Sequence, residues 1–240
     1  MDNHMNCLAP PNDEQDRIRR VYELWLQSER AATYAWHRPE IMEQHAEHWR
    51  VTGAMLAATV GTDLGGLRVL DVGCGSGSFL RQLINWGADP ALLSGTEYQQ
   101  ERLDCAMQRS PASVRWHLGD LDFLEDSSID LACANTVYSS ILDDTARARL
   151  AAEMWRTLSP GGWCMVFDFR YNNPRNAQVR RVSHAQLLAM WPAGVRHYRT
   201  LLLAPPLARG LAWAPRLLRE TLAAFPPLRS HFLFMAQKPR

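Results

Sequence analysis

The sequence has one lysine, few cysteines and no long hydrophobic run. The lysine is Lys238, and every other basic residue is arginine. The five cysteines are scattered, and no pair has the spacing of zinc ligands, which argues against a disulfide scaffold or a zinc module. The longest apolar stretch, around residues 201–208, contains two prolines and is too short to cross a bilayer. Because the first twenty residues contain no apolar segment, we expect no signal peptide and a cytoplasmic protein.

Acidic residues are nearly absent from the last third of the chain. Residues 161–240 contain 12 basic residues but only Asp168 and Glu220 as acids, whereas residues 1–160 contain 14 basic and 23 acidic residues. Two interpretations are open: the C-terminal third binds an anionic partner, or the two parts neutralise each other in the fold. The proportions of apolar residues (47%) and charged residues (21%) are those of a globular protein.

Hydrophobic periodicity predicts three parts: a disordered segment over residues 1–12, a helical lid over 13–62, and one large α/β domain over 63–240. Strand patterns alternate with helical patterns in the third part, which predicts a doubly wound, Rossmann-like, mostly parallel sheet. The last two strands lack a crossover helix and are candidates for antiparallel pairing. The seven predicted strands cover residues 67–72, 92–97, 114–118, 129–134, 162–169, 195–203 and 231–237.

A glycine-rich loop follows the first predicted strand and opens a helix. It contains Gly73, Gly75 and Gly77, with Asp71 two residues before the first glycine. A tight turn from strand to helix needs residues that accept positive φ and leave room for a ligand against bare backbone. The spacing is Gly-x-Gly-x-Gly rather than the Gly-x-Gly-x-x-Gly of dinucleotide binders.

This loop resembles motif I of the class I S-adenosylmethionine-dependent methyltransferases. Further matches are Glu97 at the end of the second strand, Asp120 after the third, and the sequence Leu-Ser-Pro-Gly-Gly from residue 158. The resemblance implies that S-adenosylmethionine is the cofactor and S-adenosylhomocysteine the product. It places Asp71 near the methionine amino group, Glu97 on the ribose hydroxyls and Asp120 on the adenine amino group. The other implied cofactor residues are the three glycines, Tyr34, Tyr98, Leu121 and Asn135.

Three segments outside the core, residues 34–36, 168–176 and 203–208, resemble a bacterial subgroup associated with surface-polysaccharide and natural-product gene clusters. This resemblance implies O-methylation of a sugar or glycolipid hydroxyl. Since ligands of parallel α/β sheets bind beyond the carboxyl ends of the strands, the loops after strands four and five should face the acceptor. We therefore predict Asp168 as general base, with Tyr138 beside it, and His37 and His184 as the next candidates. The predicted acceptor-binding residues are Trp36, His37, Arg170, Tyr171, Asn172 and Asn173.

Several alternatives remain open from the sequence. A buried ion pair between Asp168 and Arg170 or Arg175 competes with the role of base. We expect no metal, because His45 and His48 share a helix face without an evident third ligand. The acceptor is expected to be a small molecule or glycan, with an anionic membrane as a possible surface partner of residues 207–225 and nucleic acid disfavoured. Other candidate functions are methylation of a natural product, methylation of RNA, and cofactor binding without catalysis.

Overall fold

The computed structural model describes residues 13–26, 35, 37–174 and 176–240, and it contains one seven-stranded sheet. The strand order is β3-β2-β1-β4-β5-β7-β6. The first five strands run parallel, and β7 lies antiparallel between β5 and β6. The strands are β1 (Val69–Val72), β2 (Leu93–Glu97), β3 (Arg115–Leu118), β4 (Ile129–Asn135), β5 (Leu158–Phe169), β6 (Arg196–Leu203) and β7 (Arg229–Gln237). This is the predicted Rossmann-like fold, and the antiparallel pairing of its last two strands is confirmed.

The described helices pack against this sheet, and two hydrophobic clusters form on its faces. The helices are α1 (Asp13–Leu26), α2 (Pro39–Thr59), α3 (Ser78–Asn85), α4 (Gln100–Arg109), α5 (Asp144–Thr157), α6 (His184–Met190), α7 (Pro205–Gly210) and α8 (Arg216–Ala224). Pro215 separates α7 from α8 because proline cannot donate a backbone hydrogen bond within a helix. α2 begins at a proline, and α6 begins with a capping box of Ser183 and Gln186.

Strand β5 begins four residues earlier than the sequence predicts. The register between β4 and β5 shifts between Ile129 and Leu131, so the Pro-Gly-Gly turn is included in an irregular first part of the strand. Gly161 has a φ of +81°, and a Cβ on Gly162 would lie 2.9 Å from the Ser159 carbonyl oxygen. This irregular part of β5 therefore requires glycine at both positions.

Many cations of the C-terminal third stabilise the fold rather than face solvent freely. Arg229 donates hydrogen bonds to the carbonyls of Ala223 and Thr200, and Lys238 donates to those of Trp155 and Leu158. These interactions join β7 to α8, β6 and the end of α5. The charge asymmetry of the sequence thus has, at least in part, an internal structural cause.

Candidate functional site

A cavity of about 430 Å³ lies at the carboxyl ends of β1 to β4. Its size is typical of a small-molecule site. Each of these four strands contributes to the lining through the loop that follows it: Gly73 after β1, Tyr98 after β2, Asp120 after β3 and Thr136 after β4. Carboxyl ends of parallel strands meet at one edge of the sheet, where α/β proteins bind their ligands. The cavity is therefore where the sequence predicts the cofactor.

The glycine loop is in a conformation that other residues adopt only with strain. Gly73, Gly75 and Gly77 have φ angles of +63°, +55° and +76°. A Cβ on Gly73 would lie 2.7 Å from Cγ2 of Val137, and one on Gly75 would clash with the Arg102 guanidinium. Only Gly73 of the three lines the cavity. Gly75 and Gly77 shape the turn from behind.

Glu97 is buried at the end of β2 and organises the loop beside the cavity. One carboxylate oxygen accepts the Gly75 N–H at 3.0 Å, and the other accepts the N–H groups of Tyr98 at 2.8 Å and Gln99 at 3.3 Å. The Arg102 guanidinium lies 3.7 Å from this carboxylate. A carboxylate can accept about four hydrogen bonds. Glu97 therefore retains acceptor capacity toward the cavity, which it lines.

Asp71 is buried below the cavity and interacts with Asn135 on the neighbouring strand. The Asn135 amide donates to the Asp71 carboxylate at 3.3 Å, and the Asn135 carbonyl oxygen is buried without a protein partner in the described chain. Burial raises the pKa of Asp71 to about 7, and the charge of Glu97 adds to this rise. A buried carboxylate and an unpaired amide oxygen together favour a ligand that brings a cation or hydrogen-bond donors.

Tyr98 and Asp120 close the cavity at its other end. The Tyr98 hydroxyl donates a hydrogen bond to the Asp120 carboxylate, and both residues line the cavity together with buried Leu121. An apolar side chain beside an aromatic ring and an exposed carboxylate suits a planar base with an exocyclic amino group. The structure brings together six predicted cofactor residues: Gly73, Glu97, Tyr98, Asp120, Leu121 and Asn135.

Helix α1 covers one side of this cavity, which the sequence predicted only as a general lid. Glu14 and Ile18 line it. The Glu14 carboxylate accepts the Leu142 N–H, and Arg17 donates to the Ser140 carbonyl, so α1 is anchored to the loop after β4. The hydrogen bond from Arg17 is the main reason that the pKa of Glu14 is lowered. The role of Glu14 and Arg17 was not predictable, because the backbone groups that they bind are more than a hundred residues away in the sequence.

The structure corrects the predicted catalytic pair. Asp168 is fully buried, and its carboxylate accepts the N–H groups of Ser139 at 3.0 Å and Phe169 at 2.8 Å. Tyr138 is also fully buried, and its hydroxyl contacts the Met154 sulfur at 3.3 Å. Burial raises the pKa of Asp168 to about 6, but a base must reach the proton that it removes. Both Asp168 oxygens are occupied by backbone N–H groups and the Tyr138 hydroxyl faces Met154, so both side chains hold the loop after β4 in place.

The predicted ion pair of Asp168 with Arg170 is also wrong. Arg170 donates to the carbonyls of Pro226 and Arg229 at 2.8 and 2.9 Å, and Arg147 is the cation whose charge lowers the pKa of Asp168. Arg175 lies outside the described residues.

The predicted acceptor residues that the structure describes do not line the cavity. The Tyr171 hydroxyl donates to the Pro227 carbonyl at 3.3 Å, and the Asn172 side chain accepts the Arg181 N–H at 2.8 Å. Asn173 and His37 are exposed, and each interacts with other parts of the chain. Tyr34 and Trp36 lie outside the described residues. The loop after β5 is thus tied to the segment before β7 and to its own later part.

Within the described part of the chain, no group of three or more His, Cys, Asp or Glu side chains is arranged to hold a metal. No described helix is long and apolar enough to span a membrane. His45 and His48 occupy different surroundings: His45 is exposed, whereas the His48 ring stacks on Phe167 with centroids 4.0 Å apart.

Comparison with known proteins agrees with this site. Residues 69–162 match a family model described as a methyltransferase domain. A ubiquinone biosynthesis O-methyltransferase of Methylocella silvestris is 26% identical over 77% of this chain and 72% of its own length. The biotin biosynthesis bifunctional protein of Cellvibrio japonicus is 35% identical over 47% of this chain, but the match spans only 22% of that protein.

A solved structure shares the fold over almost the whole chain. The geranyl diphosphate C-methyltransferase of Streptomyces coelicolor superimposes with a TM-score of 0.63, covering 96% of this chain and 100% of its own, at 15% identity. That structure contains S-adenosylhomocysteine, the product of the cofactor. Residues 69–162 thus match a methyltransferase domain, and the fold and the cavity around them agree with an S-adenosylmethionine-dependent methyltransferase.

Proposed function

We propose that the chain transfers the methyl group of S-adenosylmethionine to a hydroxyl oxygen of a small, lipid-borne acceptor. The main support for methyl transfer is the cavity bounded by Gly73, Glu97, Asp120 and Asn135. Bound there, the cofactor supplies an electrophilic methyl group. Glu97 holds the ribose, Asp71 and Asn135 hold the amino acid end, and Tyr98 and Leu121 pack on the base. Their task is alignment, which can supply up to roughly 7–11 kcal/mol of the barrier.

Two observations support an oxygen acceptor. The relative with the broad match is named as an O-methyltransferase of ubiquinone biosynthesis. The sequence also resembles a subgroup associated with polysaccharide clusters, which favours a sugar or glycolipid hydroxyl. A quinol and a glycolipid share a hydroxyl group on an amphipathic molecule. A natural-product hydroxyl is the nearest alternative, and a screen of these three acceptor classes separates them.

The cofactor site is tested first by replacing Glu97 with alanine. Charge-assisted hydrogen bonds contribute roughly 1.5–3 kcal/mol each, so E97A should weaken S-adenosylhomocysteine binding tenfold or more in calorimetry. Glu101→Ala is the matched control, since Glu101 is exposed on α4 and does not line the cavity. Equal affinities of wild type and a folded E97A would remove Glu97 from the site. If wild type with the three acceptor classes produces no S-adenosylhomocysteine, the proposed catalysis fails.

A lipid-borne acceptor is supported by an exposed apolar surface, the α8 face, which consists of Trp213, Leu217, Leu218 and Phe225. Trp213 is 81% exposed, Leu217 75% and Phe225 58%. No residue of α8 is buried, so the apolar side chains of this helix are at most partly covered by the rest of the fold.

We propose an anionic membrane surface as the partner of the α8 face. Arg209 and Arg216 flank its apolar residues in the sequence, and Arg216 is largely exposed although it pairs with Glu220. Tryptophan, leucine and phenylalanine beside arginines are typical of surfaces that lie on anionic lipid. A soluble domain gains nothing from leaving three such side chains in water.

Vesicle sedimentation at low salt tests this partner. Wild type should pellet with phosphatidylglycerol vesicles and much less with phosphatidylcholine vesicles, and Trp213→Ser with Leu217→Ser should remain in the supernatant. Met107→Ser is the control, because Met107 is 52% exposed on α4, away from this surface. Wild type recovered wholly in the supernatant with anionic vesicles would refute membrane contact.

RNA methylation is the weaker alternative. It rested on the basic C-terminal third, but Arg170, Arg229 and Lys238 donate to backbone carbonyls and Arg219 pairs with Glu43. Side chains committed to the fold are poor candidates for phosphate contacts. RNA binding that weakens steeply with salt would reinstate this alternative.

A further inference from the structure

Three aromatic rings form a stack beside the cofactor cavity, on the side of β5 and β7. The Phe167 ring lies between two imidazoles: its centroid is 4.0 Å from that of His48 and 5.0 Å from that of His231. Phe167 pairs in register with Asn135, which lines the cavity and bonds to Asp71. The stack is therefore one strand away from the cavity, at the same edge of the sheet.

Buried polar atoms without partners occur on α2 and at the end of β4 that pairs with Phe167. Among the described residues, Nε2 of His48, Oγ1 of Thr52 and the side-chain oxygen of Asn135 are buried and form no hydrogen bond. Thr52 lies four residues after His48, on the same face of α2. Buried polar atoms are nearly always paired, and leaving one unpaired costs about 1–3 kcal/mol. Two such atoms on one face of α2, at His48 and Thr52, favour a site whose partner is a ligand.

His231 differs from His48 in that one of its nitrogens is fixed. Its Nδ1 lies 2.8 Å from the Ser230 hydroxyl, which sets the orientation of the ring at the start of β7. Burial lowers the pKa of His48 to about 4 and that of His231 to about 3. Both imidazoles are thus neutral at physiological pH and carry a free lone pair.

We propose that His48, Thr52 and His231 form the acceptor subsite, and that His48 receives the proton of the acceptor hydroxyl. This inference rests on the proposed function. The acceptor oxygen forms a bond to the methyl carbon, the carbon–sulfur bond breaks, and its electron pair goes to sulfur. The hydroxyl proton passes to the His48 imidazole, and the products are a methyl ether and S-adenosylhomocysteine. A hydroxyl oxygen that gains the methyl group as its third covalent partner becomes an oxonium and strongly acidic, so a weakly basic imidazole is sufficient.

Thr52 and His231 act as positioning residues. The Thr52 hydroxyl gives or accepts one hydrogen bond to the acceptor, and His231 supports the Phe167 ring against which His48 stacks. A subsite with aromatic side chains and few polar groups fits a quinol or phenol ring, or the apolar face of a sugar.

The test uses catechol and n-octyl β-D-glucoside as acceptor probes with the full chain. His48→Ala and His48→Gln should lower kcat at least 100-fold for whichever probe the wild type methylates, while the Kd for S-adenosylhomocysteine stays within twofold. His45→Ala is the control on the exposed side of α2. Unchanged turnover in both His48 variants would overturn the proposal, as would a parallel loss of cofactor affinity, which would make His48 a cofactor residue.

Thr52→Val separates a ligand-binding role from a structural one. Valine has nearly the same shape, so removal of an unpaired buried hydroxyl should leave the melting temperature equal or higher. The same change should raise the KM for the probe severalfold. A lower melting temperature with unchanged KM would overturn the role of Thr52.

A second readout does not depend on turnover. In the complex with S-adenosylhomocysteine, either probe should shift the imidazole NMR resonances of His48 saturably, and Thr52→Val should weaken this binding. Absence of any shift with both probes would overturn the subsite. A shift without methyl transfer by wild type would refute the proposed function and leave the subsite standing.

Discussion

The two sides of the carboxyl edge of the sheet differ in how their polar groups are satisfied. On the side of β1 and β2, the Glu97 carboxylate already accepts three backbone N–H groups, and the three glycines of the loop have the positive φ angles of a tight turn. On the side of β5 and β7, His48 and Thr52 present buried atoms without partners. The first side is preorganised by its own backbone, whereas the second is completed only by a ligand. This difference is expected if the first side binds the cofactor and the second side binds the acceptor.

Adding one methyl group to the glycine loop should disrupt the preorganised side. In Gly73→Ala, the added Cβ meets Val137 at 2.7 Å, and a φ of +63° becomes strained. The free protein can relieve this strain by moving the loop, but binding must restore the loop at a cost of roughly 1–2 kcal/mol for the dihedral alone. We expect S-adenosylhomocysteine affinity to fall about 30-fold or more in calorimetry.

Gly66→Ala is the matched control for this change. Its φ is not in the positive range, and nothing lies within 4 Å of the added Cβ. It should bind like wild type. If Gly73→Ala also binds S-adenosylhomocysteine like wild type, the glycine loop is not preorganised for the cofactor.

Asp168 lies between the two sides and fixes the loop after β4, so we expect its role to be structural. In Asp168→Asn, one N–H acceptor becomes an NH₂ donor that faces either the Ser139 or the Phe169 N–H. Thermal or urea unfolding should show a loss of about 1–3 kcal/mol, with cofactor affinity nearly unchanged. A large fall in turnover at unchanged stability would restore Asp168 as the base.

The sequence predicted the first side of the edge much better than the second. Motif I, Glu97 and Asp120 form a local pattern, because each follows its own strand and the fold brings strand ends together. Asp168 also lies at the end of its strand, but its carboxylate is buried and accepts two backbone N–H groups instead of facing the cavity. His231 and His48 stand in different parts of the chain, and no spacing connects them. The two histidines come close to Phe167 only because β7 runs antiparallel to β5 and because α2 packs where it does. Both are features of the tertiary structure that the sequence pattern does not reveal.

The smallest expected effect concerns the charge of Asp71. Burial raises the pKa of this group to about 7 in the free protein, above the usual value near 4. A raised carboxylate pKa destabilises the folded state as pH rises, so the free protein should lose stability between pH 4 and pH 7. An ammonium group bound beside Asp71 favours the carboxylate and lowers its pKa again. Cofactor binding is therefore strongest above pH 7 and weakens as pH falls through 7.

Calorimetry should show S-adenosylhomocysteine binding up to about tenfold weaker at pH 6 than at pH 8, since one proton must be released on binding. Asp71→Asn removes the titrating group and keeps the hydrogen-bonding shape, so its weaker binding should vary little over the same range. The melting temperature of the free Asp71→Asn variant should also lose the decline expected of wild type between pH 4 and pH 7. Identical pH profiles for wild type and variant would show that Asp71 does not sense the amino group, and the preorganised side would then rest on Glu97 and the glycine loop alone.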